Sequence, residues 1–386
     1  MNLGAAVLLV LFIGAITSII SRKFKIAYAE LLVIVGVLIS IASHALGTPR
    51  ELTGELIISL VLPPLIFQAA LTMNHTVFKK VQRMVILLAI VSVAISAIVC
   101  SLIVASFTSL SLIAALAFGV IIAPTDAASV INTLKRVKAP KELATIIEGE
   151  ALLNDATTLV LFSAVSALTL SPILNALKIL TEFAGGAVVG LILGFTTNKL
   201  SPLLTDKNAE VMVTISVAYG SYILAGSLNF SGIVAVAILG LYMGRYRQET
   251  SPEESKNDLM LGFWNVAAFI ANTVAFVFIG LASEVPYLLR YAPLIGLCFV
   301  AVLVARYVSV ESVLVPASKF IGSIPRSWRN TVFLGGIRGA VSAALALALP
   351  ESPFKSVIVA ATLGVILLSL VVQTRALSYY VSKALR

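Results

Sequence analysis

Residues 111–134 read SLIAALAFGVIIAPTDAASVINTL, an apolar run interrupted near its middle by Ala123-Pro124-Thr125-Asp126. A spanning helix needs roughly 20 mostly apolar residues, and this run has the length. Pro124 lacks an N–H and frees the backbone of the preceding turn. Asp126 stands about nine residues, or about 14 Å, from the basic loop that begins at Lys135. The hydrocarbon core of a bilayer is about 30 Å thick, so the carboxylate lies near its midplane. A helix both broken and charged at that depth is the strongest sequence pointer to a transporter binding site.

The rest of the chain agrees with that solvent. Of 386 residues, 59% are apolar and only 12% charged, against about 25% charged in soluble proteins. That excludes a soluble enzyme, a nucleic-acid-binding domain and a disordered chain, and leaves an all-α polytopic membrane protein. About 13 spanning runs follow in order: 3–20, 26–43, 55–73, 84–107, 111–134, 142–169, 174–197, 210–227, 229–244, 259–282, 288–315, 328–349 and 354–380. Turn signals mark the joints, among them Gly47-Thr48-Pro49, Ser171-Pro172 and Ser201-Pro202. Residues 1–20 carry no basic n-region and read as a retained first helix, not a signal peptide. The net charge of +9 comes from short loops. One alternate set holds about five times the Lys and Arg of the other, which places the N-terminus outside and the C-terminus in the cytoplasm. The loop from Arg245 to Asp258, with Thr250-Ser251-Pro252-Glu253-Glu254, reads as a solvated connector. Cys100 and Cys298 read as small buried apolar groups, and His44 and His75 as surface residues near helix ends. No Walker lysine, cysteine cluster or nucleophile triad is present, so neither an enzyme nor an ATP- or nucleotide-driven pump is expected, and no cofactor.

Ionisable residues left inside the apolar spans are costly and mark ion paths or pair with one another. They are Glu30, Asp126, Glu148, Glu150, Asp155, Glu182, Arg306, Glu311 and Arg338. Glu30 and Glu182 lie near helix ends and can snorkel. Glu150 and Arg338 lie at the depth of Asp126, and Asp155 about one and a half turns further on. Arg338 sits in Gly335-Gly336-Ile337-Arg338-Gly339, where three glycines weaken a second helix. On one helix, Ala151 and Asp155 share a face and Glu148 falls on nearly the same stripe. Glu150 and Asn154 share a neighbouring face. Glu150 and Arg338 are expected to form a structural ion pair, because an unpaired Arg at the midplane is expensive. For Arg306, Glu148 and Glu311 are the candidate partners.

Three segments together resemble the cation/proton antiporter family in its NhaP-like sodium/proton exchanger branch. They are Ala123-Pro124-Thr125-Asp126-Ala127-Ala128, Glu148 through Ala156, and Gly335 through Ser342. Phe263-Trp264, Asn272 and Gly280 fit the same pattern. The resemblance implies inverted repeats with two discontinuous crossing helices, elevator-like alternating access and a homodimer. It implies an interface domain over 1–83 and 171–287 and a core domain over 84–170 and 288–386. Asp155 would bind the cation or the proton, Thr125 and Asp126 would complete the site, and Asn154 would mark the electroneutral branch. Glu148 and Gln68 would lie on the ion path. Three departures bear on ion selectivity: Gln68 stands where Glu is common, Asn265 where an acidic residue is frequent, and Ala151 where some relatives have Ser.

The exchange chemistry is then a competition. Desolvation favours the protonated form of a carboxyl, and a dehydrated sodium ion favours the ionised form, so one carboxylate serves both cargoes in turn. The expected activity is exchange of Na+ or Li+ for H+ across the cell membrane. The rivals are a K+/H+ antiporter on the same scaffold and a cation channel.

Overall fold

The computed structural model of the chain describes residues 3–24, 27–45, 54, 57–166, 172–204, 206–250 and 259–384, and all regular structure among them is helical. Helices α1 (Leu3–Phe24) and α2 (Tyr28–Ala45) are followed by α3 (Leu62–Thr72), which is entered through a π turn at Ile57–Val61. Helix α4 (His75–Phe107) contains a second π turn, Leu88–Ser92. The broken stretch gives α5 (Leu112–Ile121) and α6 (Ala127–Arg136), and α7 (Lys141–Ser166) packs beside it. Next come α8 (Pro172–Leu200), α9 (Lys207–Ser227), α10 (Gly232–Thr250) and α11 (Leu259–Ala282). The short α12 (Val285–Arg290) leads into α13 (Ala292–Ile321). The second broken stretch gives α14 (Arg326–Leu334) and α15 (Ala340–Leu347), and α16 (Lys355–Ala384) closes the chain around a π turn at Ser369–Gln373.

With α5/α6 and α14/α15 each taken as one interrupted helix and α12 as the lead into α13, the described residues form thirteen helical units in the expected order. Six helices, α4, α8, α9, α11, α13 and α16, are long and apolar enough to cross a membrane by length and composition. The Gly47-Thr48-Pro49 joint, Ser171 and the Ser251-Pro252-Glu253-Glu254 connector lie outside the described residues.

One boundary differs from the sequence expectation by nine residues: the helix expected from 84 begins at His75. Its first turns carry Lys79, Lys80 and Arg83, so hydropathy alone misses them. Asn74 caps them, its side chain accepting from the Val77 N–H at 3.0 Å. The split near Asn229 is present. Asn229 adopts φ +59 between α9 and α10, a left-handed conformation that Asn tolerates better than most residues.

Two packing groups emerge. In one, α2 lies against α11, α10 against α3, and α8 against α10. Small residues set these distances, as in membrane helix pairs generally. A Cβ on Gly280 would meet the Val33 carbonyl at 2.2 Å, and one on Gly36 the Val277 carbonyl at 2.3 Å. In the other group, α4 contacts α5, α7 and α13, and α16 contacts α13 and α15. Both broken helices belong to this second group. Cys100 and Cys298 are buried and free, as expected.

Candidate functional site

The two interruptions meet. The Asp126 N–H donates to the Ile337 carbonyl at 2.7 Å, joining one break to the other. The Asp126 side chain caps α6, accepting from the Ala128 N–H at 3.3 Å. The Arg338 guanidinium donates to the carbonyls of Ala123 and Pro124, the oxygens left without helical partners beyond the end of α5. The Arg338 N–H donates to Ser369 Oγ at 2.9 Å, and that hydroxyl donates to Gln373 Oε1 at 2.5 Å. The π turn of α16 supplies both partners. Each break therefore satisfies backbone groups that the other exposes. The glycines make room for this. A Cβ on Gly339 would come within 2.7 Å of the Asp126 Cβ, and one on Gly336 within 2.9 Å of Arg306 Nε.

Beside the crossing lies a cavity of about 410 Å³, bounded by α3 and α11 on one side and by α6, α7 and α15 on the other. Thr125, Asp126, Glu148, Asp155 and Gln68 all line it. The facial reading of α7 holds. Glu148, Ala151 and Asp155 face the cavity, whereas Glu150 and Asn154 are turned into the protein, at 1% and 0% exposure. Asn154 Nδ2 donates to Thr125 Oγ1 at 2.8 Å, which fixes the threonine beside the break. Lys135 lines the same cavity as Glu148. Among the described residues no group of three or more His, Cys, Asp or Glu converges as a resident metal centre.

The expected ion pair is corrected. Glu150 pairs with Arg306, not with Arg338: the two guanidinium nitrogens of Arg306 reach Glu150 Oε1 and Oε2 at 2.5 and 2.9 Å, and Nη2 also donates to the Val332 carbonyl at 3.1 Å. The reason is division of labour between the arginines. Arg338 is occupied by the carbonyls of the break, and Glu150 lies on the face of α7 turned away from the cavity. Neither candidate named for Arg306 holds it, since Glu311 pairs with Arg329 at 3.2 Å. Glu30 does not snorkel. It is buried, in the wall of a second cavity of about 270 Å³ that also includes Arg375 and Arg136. Glu182 accepts from Ser163 at 2.9 Å and lies 3.7 Å from Lys178. His75 is half-buried rather than at the surface, its backbone N–H donating to Gln248 at 3.0 Å.

Two of the three departures noted in the sequence, Gln68 and Asn265, are one feature. Gln68 Nε2 donates to Asn265 Oδ1 at 2.8 Å, bridging α3 and α11. That wall of the cavity presents Gln68, Thr72, Asn265 and Asn272 and no charge, while the opposite wall carries Asp126, Glu148, Asp155 and Lys135. Phe67 and Trp264 pack with their rings tilted and centroids 4.5 Å apart, and the Trp264 N–H donates to Thr214 at 3.0 Å. The sequence reading missed Arg306 as the partner of Glu150 and Ser342 as a cavity residue. The signal for Arg306 was present, a second guanidinium at depth among apolar neighbours.

Chemically, the arrangement offers carboxylate, hydroxyl and carbonyl oxygens in one recess, the donor set suited to a hard cation.

Residues 7–383 match the family described as sodium/hydrogen exchanger, transmembrane. The chain is 30% identical, over 97% of its length and 69% of the relative's, to the Na(+)/H(+) antiporter NhaS2 of Synechocystis. It is 32% identical, over 94% of its length and 72% of the relative's, to the Na(+)/H(+) antiporter NhaG of Bacillus atrophaeus. Its fold superposes on the structure of the sodium proton antiporter MjNhaP1 from Methanocaldococcus jannaschii at pH 8, with a TM-score of 0.83 and 23% identity, covering 99% of this chain and 98% of that one.

Proposed function

The chain belongs to the sodium/hydrogen exchanger family, and from that premise we propose that it exchanges Na+ or Li+ for H+ by secondary active transport. It is a multi-pass membrane protein and not an enzyme. The observation that carries the reading is the convergence of Asp155, Asp126 and Thr125 on one cavity at the crossing of two interrupted helices.

Asp155 is the exchangeable carboxylate. With a cation bound it is ionised; with the cation gone it takes a proton, and either cargo neutralises it for the passage through a low-dielectric environment. Thr125 and Asp126 complete the cation site, and Asn154 holds Thr125 in place without adding charge. Arg338 and the Glu150–Arg306 pair brace the crossing. Glu148 sits at the mouth and raises the local concentration of cations.

The cavity separates two packing groups, and the group holding the crossing is the one that carries the site in an elevator-like movement against the other. The protein acts as a homodimer in the cell membrane, N-terminus outside and C-terminus in the cytoplasm, and its exchange is electroneutral. The loop charges support the orientation.

The test is proton flux in proteoliposomes under an imposed pH gradient, with Na+, Li+ or K+ added in turn and Asp155→Asn alongside. Flux driven by Na+ and Li+ and lost in the variant is the expected result. Flux with K+ alone would keep the mechanism and change the cargo. Retained exchange in Asp155→Asn would sink the assignment. A current reversing at the cation's equilibrium potential would mean a channel.

A further inference from the structure

We infer that Ser342, on the second broken helix, is a ligand of the transported alkali cation, supplying its hydroxyl from the side of the crossing opposite Thr125. The inference rests on the exchanger reading and deepens it.

Ser342 lines the cavity that holds Asp126 and Asp155, yet it is only 1% exposed, and its Oγ has no hydrogen-bond partner. Buried hydroxyls in folded proteins are bonded, and each exception asks for an explanation. In this chain the ordinary solution is a bond back along the helix. Ser101, Thr157, Thr273 and Ser283 each donate to the carbonyl four residues earlier, at 2.5, 2.9, 2.8 and 2.7 Å. Ser342 does not do this, because the residue four before it, Arg338, lies in the interruption and not on a helix.

The surroundings say what the hydroxyl is for. Gly339, at the N-cap of α15 and in the lining of the same cavity, packs directly on Asp126: a Cβ there would lie 2.7 Å from the Asp126 Cβ. Asp126 has an orphan oxygen of its own, Oδ2, buried and without a partner. The two walls of the crossing thus carry one anionic and one neutral oxygen, both withdrawn from water and both unused by the protein. Alkali cations are hard ions held by such oxygens. On α7, in the same wall of the cavity, Ala151 presents a methyl and supplies no hydroxyl to the space. Ser342 supplies a hydroxyl to that space from the second broken helix.

The experiment compares the full-length protein with Ser342→Ala, Ser342→Thr and Ser342→Cys in proteoliposomes, reading KM and maximal rate for Na+, Li+ and Tl+. Loss of an oxygen ligand raises the KM for Na+ by about tenfold or more in Ser342→Ala, while the maximal rate stays within about twofold. Ser342→Thr, which keeps the hydroxyl, holds the KM within about threefold of the parent. Ser342→Cys loses Na+ and Li+ affinity but retains Tl+, a soft ion that a sulfur tolerates. A merely structural serine would not sort the three ions. A KM for Na+ unchanged in Ser342→Ala, or an equal loss for all three ions in both Ala and Cys variants, would overturn the assignment while leaving the exchanger reading intact. A parent protein that exchanges none of these ions would overturn the exchanger reading itself.

Discussion

The Glu150–Arg306 pair is a buried, bidentate ion pair, and its energetics can be worked out from its geometry. Both side chains are almost fully withdrawn from solvent, at 2% exposure for Glu150 and 4% for Arg306. The contact is bidentate, with a third bond from Arg306 to the Val332 carbonyl. Removing one partner of such a pair strands the other charge and costs about 3–5 kcal/mol, whereas replacing both by apolar groups of similar volume is often close to neutral. Glu150→Leu and Arg306→Met should each destabilise by that amount, and the double variant by far less than the sum. The coupling energy, the sum of the singles less the double, should be at least about 3 kcal/mol. The same cycle with Arg338→Met should give less than about 1 kcal/mol, because Arg338 makes its hydrogen bonds to Ala123 and Pro124 and none to Glu150. The assay is equilibrium unfolding of the detergent-solubilised protein, with all four members of each cycle measured in one detergent. A larger coupling between 150 and 338 than between 150 and 306 would refute the pairing, as would a 150/306 coupling below about 0.5 kcal/mol.

Two further outcomes follow from particular contacts. Gly280→Ala should destabilise by about 1–3 kcal/mol, because its Cβ would fall 2.2 Å from the Val33 carbonyl and push α2 off α11. Gly262→Ala on the same helix, with nothing within 4 Å, should be neutral or mildly stabilising, and thermal unfolding of the two side by side checks this. Asn154→Asp should keep the contact with Thr125, the threonine hydroxyl now donating, but it adds a charge beside Asp155. Exchange should then respond to membrane potential, by up to about 2.3 kcal/mol per 100 mV for a full charge. Flux measured with and without a valinomycin-set potential would contradict this if the parent responded and the variant did not.

Much of this architecture was legible because the bilayer restricts what a chain can do. An apolar run of sufficient length has few other fates than a helix, and a proline or a glycine trio at mid-run shows where the helix stops. The facial argument on α7 was equally secure. Residues 148, 151 and 155 fall on one stripe whatever surrounds them, and all three line the cavity. What could not be read was azimuth. Depth along the membrane normal puts Arg306, Arg338 and Glu150 in one slab, but it does not say which guanidinium faces the carboxylate. The choice depends on α13 lying against α4 and on Gly336 leaving room for the Arg306 stem. The Gln68–Asn265 bond has the same character, joining residues 197 positions apart whose contact exists only once α3 and α11 are neighbours. The start of α4 was hidden for a different reason: its first turns are amphipathic and basic, so a hydropathy reading ends where the helix does not.

On the proposed assignment of Asp155, the charges around the crossing account for one site serving two cargoes. Three carboxylates stand there, Asp126, Glu150 and Asp155, and two guanidiniums, Arg306 and Arg338. Glu150 and Arg306 cancel each other in a closed pair. Arg338 is spent on the carbonyls of the first break, which places its positive charge at the end of α5 and next to the backbone that leads to Asp126. With Asp126 and Asp155 both ionised, the sum is one uncompensated negative charge. A single monovalent cation removes it, and so does a single proton. Under that proposal the loaded site is electrically the same with either cargo, and the empty ionised site alone carries the desolvation cost that opposes movement through the protein. Coupling needs no further gate in this scheme: the state that cannot move is the one with nothing bound. Asn154, neutral and held by Thr125, keeps the count at one.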